Sequence, residues 1–239
     1  YSCEESDLKA IEAIKLNLNG IKGLSKERII SELFKIFKLK NVDILLKNTE
    51  LKNIFSIIFP EFKYLDRLKK LSFLFENNIL IQNPEFIFSI LLIDETDNYE
   101  YFSHKYKISN KLKNKLKILA SNYTMLKNDK NFLKRDLKKN TYLIGKNNIK
   151  CLVNFVYCSN FKFSKKLRKD MMIEINRIEI PAFPFDGRFL KDEGVVDGRK
   201  IGFALKELED EWIKNNFKLD QEKITNIINR AKDSNILNI

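Results

Sequence analysis

Apolar residues recur along most of this chain at intervals of three and four, the spacing of a single helical face. Leu8, Ile11, Ile14 and Leu18 begin the pattern, and Gly20 and Gly23 interrupt it. Residues 26–38 are the next predicted helix. Ser25 is placed to accept from its first amides, and Leu24 and Ile29 have the spacing of a hydrophobic staple. Glu27 complements the dipole of its first turn, and Ile29, Leu33, Phe34 and Phe37 form its buried stripe. The periodicity then predicts helices over residues 42–59, ended by Pro60, and over 61–76, carrying Phe62, Leu65, Leu68 and Phe75.

Pro84 suits the first turn of a further helix, with 86–93 as its buried core. A polar break at 94–98 precedes a segment at 99–107. Ser109 or Asn110 then caps a helix whose apolar face is Ile108, Leu112, Leu116 and Leu119, with Lys111, Lys113, Lys115 and Lys117 around its other sides. Further helices are expected at 130–141 and 149–157, a pair within 164–179, and an amphipathic helix at 200–214 with Ile201, Leu205, Leu208 and Trp212 on one face. Strand-like alternation is scarce and no fixed repeat is present. The expectation is an all-α chain, an elongated multi-helix array of roughly ten helices in short-looped succession. Phe55, Phe59, Phe62, Phe73, Phe75, Phe86 and Phe88 fall on helix stripes, which favours core packing over a stacking platform for bases.

The charge pattern adds a functional hint. Residues 101–170 hold 19 Lys/Arg against 3 Asp/Glu, so this block carries +16 and leaves −4 for the rest of a chain whose total is +12. A basic block between near-neutral flanks favours a polyanion partner over a merely solvated surface. Its lysine-rich make-up suits phosphate contact more than base reading. With no run of about 18 apolar residues, no membrane partner is expected. Cys3, Cys151 and Cys158 have neither zinc-like nor disulfide-framework spacing, and fit small buried residues in a reducing, cytoplasmic setting. His104 is the single histidine and is expected at the surface, with no second ligand beside it. Asp94, Glu95 and Asp97 are read as a surface loop.

Residues 183–217 stand apart. They read FPFDGRFLKDEGVVDGRKIGFALKELEDEWIKNNF and contain four of the seven glycines, introduced by two of the four prolines, Pro181 and Pro184. Gly187 and Gly194 suit turns needing positive φ, and Asp197 with Gly198 suits a helix entry. Arg199 and Lys200 beside that helix start could hold a phosphate; a glycine turn that packs the last helix is the competing reading. Near the other end, residues 24–37 read LSKERIISELFKIF.

Both segments resemble the tRNA nucleotidyltransferase / poly(A) polymerase family of class II. The first is similar to the last neck motif of that family, with Glu27, Arg28, Ile29 and Glu32 at matching positions. The second is similar to its C-terminal end at Phe183, Pro184, Gly187, Leu190, Gly194, Gly198, Ile201, Gly202, Leu205 and Trp212. Phe189 stands where the family has an acidic residue. Residues 40–160 match only weakly. The resemblance implies a neck remnant over 1–38, a helical body over 39–160 and a helical tail over 161–239. It also implies a partner, tRNA or other RNA 3′ ends, with DNA not expected.

The family's chemistry uses magnesium ions held by a D-x-D pair in a head domain that takes CTP or ATP. This chain contains no D-x-D and no Gly-Gly, so no cofactor is expected to be held here and the chain is expected to be inactive alone. Glu27, Arg28 and Glu32 either brace the missing nucleotide-reading helix or simply start a charge-paired helix. Lys111, Lys115, Lys138, Lys139, Lys165, Lys166 and Arg168, together with Arg199 and Lys200, are the RNA-contact candidates. Three expectations follow: an RNA-binding portion without activity, one half of a split enzyme that needs a separate catalytic head domain, or a helical interaction scaffold with no RNA role. An exposed apolar surface within residues 1–18 would favour a partner. CCA addition and poly(A) addition are not separated by these residues, nor is a natural start at Tyr1 distinguished from a truncation.

Overall fold

The structure, a computed structural model, describes residues 3–39, 42, 48–76, 83–128, 132–160 and 162–233. Every regular element among them is helical, as expected; thirteen α-helices are found among these residues rather than about ten. They are α1 (Cys3–Leu16), α2 (Lys26–Phe37), α3 (Thr49–Ile58), α4 (Leu68–Glu76), α5 (Pro84–Leu92), α6 (Asn98–Tyr106), α7 (Asn110–Asn128), α8 (Leu137–Ile144), α9 (Lys146–Ser159), α10 (Lys165–Arg177), α11 (Gly187–Asp192), α12 (Gly198–Lys214) and α13 (Gln221–Asp233). Two short 3₁₀ turns lie at Leu18–Gly23 and Leu65–Arg67.

The local chemistry of the starts explains most boundaries. Ser25 Oγ accepts from Arg28 N at 3.2 Å, Ser109 Oγ from Leu112 N at 3.3 Å, and Pro84 occupies the first turn of α5. Where boundaries differ from the periodic reading, a competing local group decides. Asn48 accepts from Glu50 N and Leu51 N, so α3 starts at Thr49 rather than at 42. Residues 43–47 of that expected helix lie outside the described residues. Beyond Pro60 the chain turns and makes the 3₁₀ turn before α4 begins, instead of one helix over 61–76. The helix expected over 130–141 starts only at Leu137, after turns. The expected pair in 164–179 is one uninterrupted helix, α10, begun by Ser164 Oγ accepting from Leu167 N at 3.1 Å.

The chain forms two compact units. The first joins Tyr1–Arg135 with Ile144–Arg177; the second joins Asp136–Leu143 with Ile178–Ile239. At the centre of the first unit lies α5, buried on all sides from Phe86 to Leu92, as a helix apolar all round requires. Phe88 faces Phe37 of α2 at 4.8 Å and Phe102 of α6 at 5.9 Å between ring centroids, and Phe55, Phe59, Phe62 and Tyr106 complete an aromatic cluster. The expected core role of these rings therefore holds. Phe73 is the exception: it is only half-buried. The side chains of Leu8 and Phe75 lie outside the described residues. Leu112, Leu116 and Leu119 of α7 and Ile149, Leu152, Val153 and Phe155 of α9 are buried as well. Each such side chain contributes roughly 1.5–3 kcal/mol on removal from water.

Two polar devices, one half-buried and one buried, hold α5 in place. Arg67 donates from its guanidinium to the carbonyls of Ile90 and Ile93, at 2.9 and 2.7 Å, and stacks 3.9 Å from the Tyr64 ring. It thus satisfies carbonyls that the helix end leaves open. Asn98 Nδ2 donates to the carbonyls of Glu61 and Leu92, at 2.9 and 3.1 Å.

The second unit is built on the glycine-bearing segment. Leu190, Val195, Ile201, Ala204, Leu208, Ile224, Ile227 and Ile228 form its core, with Phe183, Phe185 and Phe189 packed against it. Trp212 meets Phe183, Phe217 and Tyr142 edge-on at 5.3, 4.9 and 5.5 Å. Gly194 has φ +90°, as expected. Gly187 does not have positive φ: Asp186 accepts from Arg188 N and Phe189 N, which makes Gly187 the first residue of α11.

Candidate nucleic-acid interface

Helix α10 carries lysines at positions 165, 166 and 169, and Lys165 and Lys169 are four apart on one face. Like charges at that spacing oppose helix formation unless something else neutralises them. Opposite them stand Phe73 of α4 and Lys150 and Asn154 of α9. Together these elements bound a groove of about 660 Å³. Among the described residues its lining includes five cationic residues, Lys150, Lys165, Lys166, Arg168 and Lys169, and no carboxylate. Lys165 Nζ lies 3.9 Å from the Phe73 ring centroid, within cation–π range.

Arg168 sits beneath this surface. It is 4% exposed, and its Nε donates to Asn154 Oδ1 at 2.7 Å. Burial pushes its pKa down, against the opposing influence of Tyr157 and Cys158; a guanidinium nonetheless stays charged. The groove floor is therefore positive and fixed, while Lys165, Lys166 and Lys169 are exposed above it. Those three and Lys150 make no ion pair among the described residues.

The other candidates are placed differently. Lys111 is exposed on α7. Lys115 is paired with Glu85. In the second unit, Lys138 lies 5.2 Å from the Phe217 ring and Lys139 is half-buried on α8. At the start of α12, Asp197 Oδ1 accepts from Arg199 N at 2.7 Å and Lys200 N at 3.3 Å. Those hydrogen bonds hold the Asp197 carboxyl below the ordinary carboxylate range. Two amides that an anion would use are thus already satisfied, and Lys200 Nζ donates to the Lys232 carbonyl at 3.0 Å. Within the first unit the structure brings Lys165, Lys166 and Arg168 together, while Lys111 and Lys115 are not in the groove lining; the other four belong to the second unit. Sequence reasoning passed over Lys150, Lys169 and Phe73. The repeated lysines at 165 and 169, with no acidic residue three or four positions away from either, were the available signal for Lys169.

The neck-motif residues Glu27, Arg28 and Glu32 are all exposed on α2, and Glu32 pairs with Lys35 at 2.8 Å. On α1, Ile14 and Leu16 are exposed, at 41% and 85%. The acidic loop is engaged: Asp94 accepts from Thr96 N and Oγ1 at 2.8 and 2.6 Å, and Glu95 pairs with Lys127 at 2.6 Å. Among the described residues no three His, Cys, Asp or Glu side chains converge to hold a metal ion. His104 is exposed. Burial pushes the Cys151 thiol up to about 11 and the Cys158 thiol up to about 12. Among the described residues no helix is long and apolar enough to cross a membrane.

Residues 7–65 match the family model described as "Probable RNA and SrmB- binding site of polymerase A". Over 240 aligned positions, 95% of this chain and 51% of the relative, the sequence is 24% identical to CCA tRNA nucleotidyltransferase 1, mitochondrial, of Mus musculus. The same protein of Danio rerio is 30% identical over 61 residues, 26% of this chain and 14% of that protein. Its counterpart in Homo sapiens is 25% identical over 61 residues, again 26% of this chain and 14% of that protein. The chain spans at most about half the length of these relatives. Residues 7–65 are thus similar to a probable RNA-binding site, and a distant likeness to the mouse nucleotidyltransferase extends over most of the remaining length.

Proposed function

We propose that this chain, a distant relative of the CCA tRNA nucleotidyltransferases, holds tRNA through its phosphates for nucleotide addition at the 3′ end. The groove between α4, α9 and α10 is the main contact. The observation that carries this reading is five cations lining one groove with no carboxylate among its described residues. Such a surface attracts a polyanion from any direction, and each phosphate neutralised releases counterions, so binding weakens steeply with salt. Lysine Nζ groups act there as point charges that do not read sequence. Arg168 keeps its place because Asn154 holds its Nε; its fixed charge adds to the field under the lysines. The chain's own residues bind and position the RNA in this reading. The reaction belongs to a head domain with its own carboxylates.

The test adds labelled CTP and ATP to the purified chain with tRNA lacking its 3′ CCA, and follows retention and extension separately. Salt-sensitive retention without extension is expected. Extension would reveal a catalytic site in this chain. No retention at low salt would end the RNA reading and leave a helical scaffold.

A second reading is favoured by one observation. Ile14 and Leu16 expose apolar surface on α1, in the region where a partner would dock in a split enzyme. Supplying a purified nucleotidyltransferase head domain should then restore CCA or poly(A) addition. A mixture no more active than the head alone would argue against complementation.

A further inference from the structure

Arg168 differs in kind from the lysines around it. It lines the basic groove, yet it is 4% exposed. A buried guanidinium opposes folding unless an anion or several acceptors meet it. Of its five N–H donors, Nε uses one, on Asn154 Oδ1 at 2.7 Å. Among the described residues Nη1 and Nη2 donate to nothing, and the guanidinium pairs with no carboxylate.

The titratable groups that act on it do not supply the missing charge. Burial raises the Tyr157 phenol and takes the Cys158 thiol up to about 12, so both are neutral at physiological pH. The Tyr157 ring, 6.0 Å from the guanidinium carbon, stands at the limit of cation–π range. Neither Nη is sealed in the interior, unlike Asn122 Nδ2 and Glu61 Oε2, which are enclosed without a partner. Asn154, itself 3% exposed, grips the Nε edge and orients the fork before any ligand arrives. That lowers the ordering cost of binding. Lys165 and Lys169 are exposed on the same helix, three positions before Arg168 and one after it.

We infer that Arg168 seats one particular phosphate of the bound RNA. Nη1 and Nη2 donate to two of its non-bridging oxygens, the bidentate geometry of guanidinium and phosphate, and Lys165 and Lys169 flank it. The lysines hold the strand as a diffuse field; this contact fixes its register along the groove. The inference rests on the RNA reading of the groove. The same phosphate chemistry is offered by free inorganic phosphate, and the experiment separates the two sources.

The probe is labelled tRNA lacking its 3′ CCA, ethylated at about one phosphate per molecule and partitioned on the full chain into bound and unbound fractions. Ethylation neutralises a phosphate, so mapping each fraction reads the contribution of every position. One position should be depleted about tenfold from the bound fraction, the scale of a charged hydrogen-bonded contact, over a broad background of weaker losses. Even depletion across the contact region would mean a field without a seat and would overturn the inference. Arg168→Met should remove the single strong position, keep the broad background, and melt at the same temperature or higher, because it deletes a charge that the chain leaves unpaired. A Met variant that melts lower and keeps the strong position would make Arg168 structural and overturn the inference as well. Inorganic phosphate should displace tRNA no better than chloride at equal ionic strength; displacement at a small fraction of that concentration would assign the seat to free phosphate and overturn the RNA contact. Lys165→Glu with Lys166→Glu separates the two levels. If that variant keeps full affinity for tRNA, the groove reading fails. If it loses affinity while ethylation shows no strong position in the unmodified protein, only the present inference fails.

Discussion

Two places in this molecule present basic residues at a helix start, and they come to opposite ends. At α12, Arg199 and Lys200 follow an aspartate that caps the helix with two hydrogen bonds. Lys200 is turned back to the Lys232 carbonyl. At α10, Lys165, Lys166 and Lys169 follow a serine cap, and the groove they border has no acid among its described residues. The first arrangement is internally satisfied; the second leaves positive charge facing solvent over a buried guanidinium. A basic pair in sequence is therefore a binding site only after the local acceptors have been counted. The same reckoning separates Lys115, paired with Glu85, from Lys111, which is exposed on the same helix.

The largest expected effect tests whether the glycine segment is scaffold. Leu208→Ala removes a fully buried side chain from the core of the second unit and should cost about 3 kcal/mol in thermal or denaturant unfolding. A loss below about 1 kcal/mol would mean that this core does not support the segment as described. Next comes the groove itself. Lys165→Glu, Lys166→Glu and Lys169→Glu together should weaken tRNA binding about 100-fold near physiological salt, with the salt slope falling by about one for each phosphate no longer neutralised. Circular dichroism should be unchanged, since all three are exposed.

The matching change in the second unit, Arg199→Glu with Lys200→Glu, should weaken binding by no more than about threefold, as for general field alone. A loss as large as that of the groove variant would invert the comparison and make the start of α12 the phosphate site. A smaller effect concerns pH. Burial and the hydrogen bond to Glu209 push the Tyr142 phenol up to about 12. The folded state then holds this proton more tightly than the unfolded chain, whose phenol loses it near pH 10. The stability this contributes is complete below about pH 10 and declines as pH rises toward 12. Tyr142→Phe should flatten that decline in melting temperature; an unchanged decline would remove Tyr142 as its source. Finally, Cys151 and Cys158 should resist alkylation at neutral pH in the native state, because the thiolate is the reactive form and burial suppresses it. Rapid labelling of both, followed by mass spectrometry, would show that the α9 region opens.

Much of the fold was legible because helix starts are written locally. Ser25, Ser109 and Asp197 accept from amides two or three residues on, Pro84 fills a first turn, and each stands where the pattern placed it. The starts that the pattern misplaces, at α3 and α4, are decided by Asn48 and by the turn after Pro60, which compete with an otherwise continuous apolar period. Gly187 departs from expectation for a similar reason: the Asp186 cap draws it into a helix. Of the candidate site, Lys165, Lys166 and Arg168 were legible from charge density alone. Lys150 and Phe73 were not, since they lie 15 and 92 positions before Lys165 and only packing brings them beside it.

The sequence by itself determined the helical class, most helix stripes, and the concentration of positive charge between residues 101 and 170. All of these depend on neighbours within a turn or two, or on composition. Tertiary structure alone decided which cations remain unpaired among the described residues and that Arg168 is buried beneath the lysines. Those are matters of which acceptors arrive from distant helices, and helical periodicity says which face is buried but not what it is buried against.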